Sequence, residues 1–425
     1  MPPDVLVVGG GVAGLSAALV AADRGARVEV LERGPAVGGA ALLSNGSLWT
    51  FDDVGTYLER CPGADPALAR LVATGLDLVV SWLRGQGAEV TERGPSLYGA
   101  ARSYQIVPRR LAATLHDAVR ARATLTTDDP ATSLRLDGGG TGVTTATGRR
   151  IEAAAVVVAT GGIHADEPML RAAGLGHYVG LPVRNRPEDG DGVRIASRLG
   201  AELAGTYDGI YGHLVPAGIA PDAALSPLAA QYQSHAGVLL GLDGTLLARA
   251  GTDDHHLNRM LTRRPGRRGV LVYDAQAAPP LIRAAVGGSG WAADRFAFAR
   301  AHGSRVTRAG TLGELAGSLT GWGLDTLAPD AREALADALG RPPFHAVEVE
   351  PSITHSGAGL RVTGTLEIPG LPGVFAAGQD IGGAFGEGYA GGLAFAIRTG
   401  MAAGRGAAAT ARRVAGGHVD HDIAR

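Results

Sequence analysis

A short apolar strand, Val5-Leu6-Val7-Val8, runs straight into Gly9-Gly10-Gly11-Val12-Ala13-Gly14, and this junction limits what the chain can fold into more than any other stretch. The glycines stand where a strand turns into a helix marked by Leu15, Ala18, Leu19 and Ala22. Backbone there can approach a pyrophosphate at the helix N-terminus. Glu32 follows Gly14 at the end of a second apolar run, Val28-Glu29-Val30-Leu31. A carboxylate at that spacing suits a ribose hydroxyl. In a chain with 66 glycines the string alone means little; its strand–turn–helix setting makes it a dinucleotide signature.

Composition narrows the rest. A length of 425 residues points to two lobes, and 45 % hydrophobic residues can bury a large core. The net charge of −2 gives no electrostatic reason to expect nucleic acid or an anionic membrane as partner. Every basic residue is arginine, so Schiff-base lysine chemistry is excluded. The single cysteine, Cys61, excludes an intrachain disulfide and a cysteine-ligated iron–sulfur cluster in this chain. No apolar stretch is long enough for a membrane span. A strand starting so early leaves no room for a signal peptide, and a cytoplasmic protein is expected.

The first segment reads as a right-handed βαβ unit on a parallel sheet. It continues through Gly34-Pro35-Ala36-Val37-Gly38-Gly39 into a polar turn, Ser44-Asn45-Gly46. Helical periodicity covers 67–84 and, after Pro108, 109–122, while 124–152 reads as short β segments. A buried strand, Ala155-Val156-Val157-Val158-Ala159, closes on Thr160-Gly161-Gly162, a second place where backbone can meet a dinucleotide. Texture changes from about 205 to 341, with more Tyr, His, Pro and Arg. There Gly287-Gly288-Ser289-Gly290 is read as a loop after a helical run from Leu281 to Val286, and Arg263 to Arg268 as a solvated turn. The first texture returns with a strand, Gly373 to Ala377, then Gly378-Gln379-Asp380, a glycine-rich stretch to Gly392 and a helix of small residues. The expected division is a dinucleotide domain over 1–204 and 342–425, with 205–341 inserted.

Taken together, these residues resemble the FAD-dependent flavoproteins grouped with fumarate reductase and succinate dehydrogenase. Within them the likeness is to the soluble branch of tricarballylate dehydrogenase-like enzymes and 3-ketosteroid Δ1-dehydrogenases. It runs over nearly the whole chain. It rests on the glycine string with Glu32-Arg33, on Val37-Gly38-Gly39, on Ala159-Thr160-Gly161-Gly162, on Asp189-Gly190-Asp191-Gly192 before a helix, and on Ala377-Gly378-Gln379 with Tyr389-Ala390-Gly391-Gly392. The resemblance implies an α/β fold: a discontinuous, Rossmann-like FAD lobe of the glutathione-reductase type, with an inserted α+β capping domain that closes over flavin and substrate. It puts on the cofactor Gly9, Gly11, Val12, Ala13, Gly14, Glu32 and Arg33, then Gly38, Gly39, Ala40, Ser44, Asn45 and Gly46, then Ala159, Thr160, Gly161 and Asp191. From the last segment it adds Gly378, Gln379, Gly392, Ala394 and Phe395, the backbone of 392–395 facing the flavin pyrimidine at a helix N-terminus. Covalent members carry a histidine after the Gly-Gly pair; residues 40–46 have none, which implies non-covalent FAD. Gln379 stands where the family has glutamate, and an amide still donates and accepts.

The same resemblance implies hydride transfer between flavin N5 and one substrate carbon, with a proton moving at the neighbouring carbon. His355, followed by Ser356 as a supporting donor, matches a substrate-binding histidine. Tyr389 matches a tyrosine that donates to a ketone, where fumarate reductases have a carboxylate-gripping arginine, and so points to a neutral carbonyl. His213 matches the histidine before the cap, Glu387 is a candidate pocket carboxylate, and Tyr207 and Tyr211 are candidate proton carriers. Fumarate reductases place a proton-donating arginine near Ala250-Gly251-Thr252-Asp253-Asp254-His255, but here alanine stands at 250 and aspartate at 254, leaving His255 or His256 as substitutes. The expectation is an FAD-dependent oxidoreductase that desaturates a small carbonyl compound, with electrons leaving to oxygen, a quinone or a partner protein. The alternatives are an ene-reductase running the reverse reaction and a flavin-binding protein with altered catalysis.

Overall fold

The computed structural model describes the chain except residues 97–99, 101, 138–139, 183–189, 206–208, 220–225, 232–233, 277–284, 287–290, 293, 325 and 423–425. It divides into two compact units: Met1–Gly176, Arg186–Gly209 and His355–Arg425 form the first, His177–Asn185 and Ile210–Thr354 the second.

The first unit is built on a five-stranded parallel sheet. Val5–Val8 lies at its centre between Ala155–Val158 and Val28–Leu31, with Val374–Ala376 and Thr124–Thr126 at the edges. Every residue of the three central strands is buried, as parallel strands covered on both faces require. Helix Val12–Ala22 follows the first strand, and its turn depends on glycine: Gly9 has φ +111°, and a Cβ on Gly14 would lie 1.9 Å from the Gly9 carbonyl oxygen. The periodicity of 67–84 resolves into two helices, Pro66–Ala73 and Leu76–Gly85. Residues 131–153 form a three-stranded antiparallel sheet. The long helix Gly392–Asp422 ends the unit.

The second unit is an antiparallel sheet with helices on both faces, an α+β arrangement. Phe344–Glu350 pairs with Val215–Pro216, Gly269–Tyr273 and Val306–Ala309, and Val238–Gly241 continues the sheet to Leu246–Ala248. Alternation sorts its side chains. Leu239, Leu271 and Val347 face Leu257 and Leu261 of helix Asp254–Thr262. Leu240, Val270, Val272 and Ala346 face Leu315, Leu319, Ala334 and Leu335 of helices Leu312–Thr320 and Pro329–Ala338.

The division differs from the sequence expectation of 205–341. Phe344–Glu350 sits inside the second sheet, so that unit runs on to Thr354; it starts at Ile210 and takes in 177–185 as well. Residues 285–286 are a short strand paired with 291–292, not the end of a helix, and the rest of the Leu281 to Gly290 stretch lies outside the described residues. Within 263–268 arginines are tied down: Arg264 donates to Asp243, Arg267 to the carbonyls of His177 and Val179, and Arg268 to Glu348. No single helix among the described residues is long and apolar enough to cross a membrane.

Candidate active site

In the first unit the two glycine turns are latched together. Gly38 N–H donates to the Gly10 carbonyl at 2.8 Å, and Gly11 and Gly38 form a parallel bridge. Glu32, at the end of its strand, accepts the Gly10 N–H through Oε2 and the Gly34 N–H through Oε1, each at 2.8 Å. Each oxygen keeps a lone pair for a ribose hydroxyl. A Cβ on Gly11 would meet nothing within 4 Å, so open space lies at the N-terminus of helix Val12–Ala22, where a pyrophosphate needs it. The chemistry fits a dinucleotide.

The other edge of this cradle is held by a residue that sequence reasoning passed over. Asp380, buried at the end of the turn Gly378–Asp380, accepts the Thr160 hydroxyl at 3.0 Å, the Gly162 N–H at 3.2 Å and the Gly161 N–H at 3.3 Å, and also the Thr160 N–H. Burial pushes its carboxyl up to about 6, while these donors from the Thr160–Gly162 loop pull the other way. Thr160 in turn accepts the Gly192 N–H at 2.9 Å, and Asp191 pairs with Arg33 and Arg194. Gln379 is half-buried beside Gly162. Ser44, Asn45 and Gly46 make a self-satisfied turn: Ser44 Oγ donates to the Ala41 carbonyl, and Asn45 Oδ1 accepts the Ser47 N–H.

Near the start of helix Gly392–Asp422, the rings of Trp49, His355, Phe385, Tyr389 and Phe395 cluster. Tyr389 lies 5.7 Å from Trp49 and 5.5 Å from both His355 and Phe385, centroid to centroid, and Phe385 lies 5.0 Å from Phe395. The approach is set by Gly391, φ +80°, where a Cβ would sit 1.8 Å from the Trp49 carbonyl oxygen. The Tyr389 hydroxyl accepts the Gly392 N–H at 2.9 Å. The Leu393 and Ala394 N–H groups have no protein acceptor among the described residues, as expected of a helix's first turn. His355 is buried; Ser356 donates its hydroxyl to the Ala358 carbonyl at 3.0 Å, within its own turn. Glu387 is exposed.

The second unit holds a polar network of its own. Tyr211 Oη and His213 Nε2 are 2.8 Å apart, and His213 Nδ1 is 2.6 Å from Asp254 Oδ2. His255 Nδ1 lies 2.6 Å from Asp253 Oδ1 and 3.4 Å from Asp254 Oδ1. Burial opposes ionisation of Asp254, but the charge and hydrogen bond of His213, and then those of His255, hold its carboxyl well below the usual range. Burial likewise works against a charged His255, and Asp253 and Asp254 overcome it and raise the imidazole to about 9. His256 is exposed, and Tyr207 lies outside the described residues. The sequence pointed to His213 and to the 253–256 segment, but their union depends on the fold.

The profile of the FAD binding domain family matches residues 4–394. The chain belongs to that family. Its cofactor is FAD, and the cradle around Gly9–Gly14, Glu32 and Thr160–Gly162 has the donors and space to hold it. The chain is 32 % identical to vinyl phenol reductase of Lactiplantibacillus plantarum over 48 % of its own length and 47 % of that protein, so it aligns with about half of that relative. It is 26 % identical to fumarate reductase (cytochrome) of Shewanella frigidimarina over 95 % of this chain and 77 % of that protein. The structure of 3-ketosteroid delta1-dehydrogenase from Sterolibacterium denitrificans shares the fold, with a TM-score of 0.72, 15 % identity, and coverage of 96 % of this chain and 99 % of that one.

Two further members of these clusters carried no sequence signal that set them apart. Trp49 ends the short strand Ser47–Trp49 and Phe385 stands in an irregular segment, and only packing brings them to Tyr389. Asp380 was visible as an acid just past a strand end, the one hint available for it.

Proposed function

We propose that the chain is an FAD-dependent oxidoreductase that makes or removes a C–C double bond beside a neutral carbonyl group, desaturation being the primary reading. Tyr389 carries the proposal. A hydroxyl that accepts a helix-terminal N–H keeps its own proton as a donor, and it stands, by resemblance, where fumarate reductases have arginine. It would hold a carbonyl or enolate oxygen as charge develops there. His355, at 5.5 Å, would be the second group on the substrate. Bound FAD supplies the two-electron hydride chemistry. The chain's own groups bind, orient and move the proton, and the second unit has the capping role in this reading. Electrons exchange with an external partner, whether oxygen, a quinone or a protein.

Saturation of an activated double bond is the second reading, favoured by the likeness to vinyl phenol reductase and fumarate reductase. Non-covalent FAD belongs to the same proposal, because the turn 40–46 offers only Ala, Leu, Ser, Asn and Gly side chains.

Anaerobic mixing tests the reading and its direction. Reduced holoprotein is mixed with 4-vinylphenol, fumarate or 4-androstene-3,17-dione, and oxidised holoprotein with the saturated counterpart of each. Return of the flavin's visible band in the first case marks a reductase, and bleaching in the second a dehydrogenase. A flavin that responds to no member of either set sinks the proposal. Acid precipitation should leave the yellow colour in the supernatant; colour that stays with the pellet overturns non-covalent attachment.

A further inference from the structure

We propose that the cleft between helix Pro108–Arg120 and the loop from Pro35 to Leu42 binds a small organic acid with an apolar body, and that its occupancy tightens the hold on FAD. The cleft lies wholly within the first unit and measures about 320 Å³, at the small end of ligand sites, which run from about 300 to 1,000 Å³. Its chemistry is independent of the reaction proposed above. The sequence explains its shape. Pro108 opens a helix of 13 residues, and Arg109, Ala112, Ala113 and His116 recur at helical spacing, which puts them on one face. The two alanines make an apolar floor between a guanidinium and an imidazole set about 10 Å apart along the axis. Val37 and Leu42 form the opposite wall.

Charge decides the occupant. The neighbouring Arg110 pairs with Glu89 at 2.9 Å, whereas Arg109 has neither a hydrogen bond nor an ion pair among the described residues. His116 Nδ1 lies 2.9 Å from Asp117 Oδ1, which occupies that carboxylate and leaves Nε2. No acidic side chain lines the cleft among the described residues. A guanidinium with open donors at one end of an apolar trough suits a carboxylate joined to a ring or a branched chain. Two N–H groups meet the two oxygens, and the body covers the alanines. A neutral apolar molecule would leave Arg109 unused, and a bare inorganic anion would leave the trough unused.

One wall of the cleft also belongs to the cofactor cradle. Val37 precedes Gly38, whose N–H donates to the Gly10 carbonyl at 2.8 Å. There is no slack at Gly38: its φ is +113°, and a Cβ on it would lie 2.9 Å from Leu42 Cγ and 3.0 Å from Ala112 Cβ. An occupant wedged against Val37, Leu42 and Ala112 therefore holds this glycine turn against the first one. The two sites then share a coupling free energy, and the factor by which the acid raises FAD affinity is the factor by which FAD raises the acid's.

The probe is 4-tert-butylbenzoate, whose carboxylate sits on an aromatic ring and offers a flavin no bond to desaturate, with 4-tert-butylbenzamide as its neutral counterpart. Calorimetry on the holoprotein should show the acid binding. Binding should be at least about 10-fold weaker for the amide and in Arg109→Ala, and intermediate in Arg109→Lys. It should vanish in Ala113→Trp, whose indole fills the trough; Ala113 is exposed, so this change leaves the packed face of the helix alone. Release of FAD on dilution, followed by flavin fluorescence, should slow at least about twofold with the acid in wild type and not in Ala113→Trp. No binding at millimolar acid, or binding indifferent to both Arg109→Ala and Ala113→Trp, overturns the site. FAD release that ignores a bound acid overturns the coupling. Neither readout requires turnover, so either failure leaves the proposed reaction standing.

Discussion

Asp380 Oδ1 accepts the Thr160 hydroxyl at 3.0 Å across 220 residues of sequence, joining the ends of two neighbouring parallel strands. One carboxylate organises the loop Thr160–Gly162 opposite the first glycine turn. Its removal would leave several buried donors unsatisfied, at about 1–3 kcal/mol each. Asp380→Ala is therefore expected to lose at least about 3 kcal/mol of stability and to purify with little flavin. Chemical denaturation and the ratio of flavin to protein absorbance check this.

The same carboxyl predicts a pH slope. Its folded value of about 6 is raised above the ordinary 3.8, so the folded form binds the proton more tightly. Its contribution is greatest below about 4, declines as pH rises through 6, and is constant above that. Melting curves of wild type and Asp380→Asn from pH 4 to 7 should show a downward slope in the wild-type-minus-variant difference. A flat difference would refute it.

His255 predicts a slope at higher pH. Its imidazolium, held by Asp253 and Asp254, is raised from 6.5 to about 9. The stabilisation is fully present below 6.5 and is lost as pH rises through 9. Between pH 6 and 10 the melting temperature of wild type should fall toward that of His255→Gln. A gap that stays constant over that range would mean that His255 is not charged in the folded protein.

Glu32→Gln tests the cradle. The amide replaces one of two acceptor oxygens that now hold the Gly10 and Gly34 N–H groups. A loss of about 1.5–3 kcal/mol, roughly 10- to 100-fold in FAD affinity, is expected. Release of flavin fluorescence on dilution measures it.

Tyr389→Phe separates binding from catalysis. Only the hydroxyl on Gly392 N–H is lost, so stability should change by about 1 kcal/mol or less and flavin should be retained. Turnover of the probe accepted by the wild type should drop by about 100-fold. Unchanged turnover would leave Tyr389 a packing residue of the aromatic cluster.

What the sequence by itself determined was local. The central strands and the first glycine turn were legible because apolar runs of four residues and Gly9–Gly14 impose their geometry over a few residues, whatever the rest of the chain does. What only the tertiary structure decided was non-local. Strand Phe344–Glu350 joins the second unit because its partners lie at 269–273 and 306–309, and no pattern within the strand names them. His213 meets Asp254 across 41 residues and Asp380 meets Thr160 across 220, pairings chosen by the burial of charge among donors that different elements bring together. Periodicity along a chain tells which face of an element is buried; it does not tell which polar group will be waiting there.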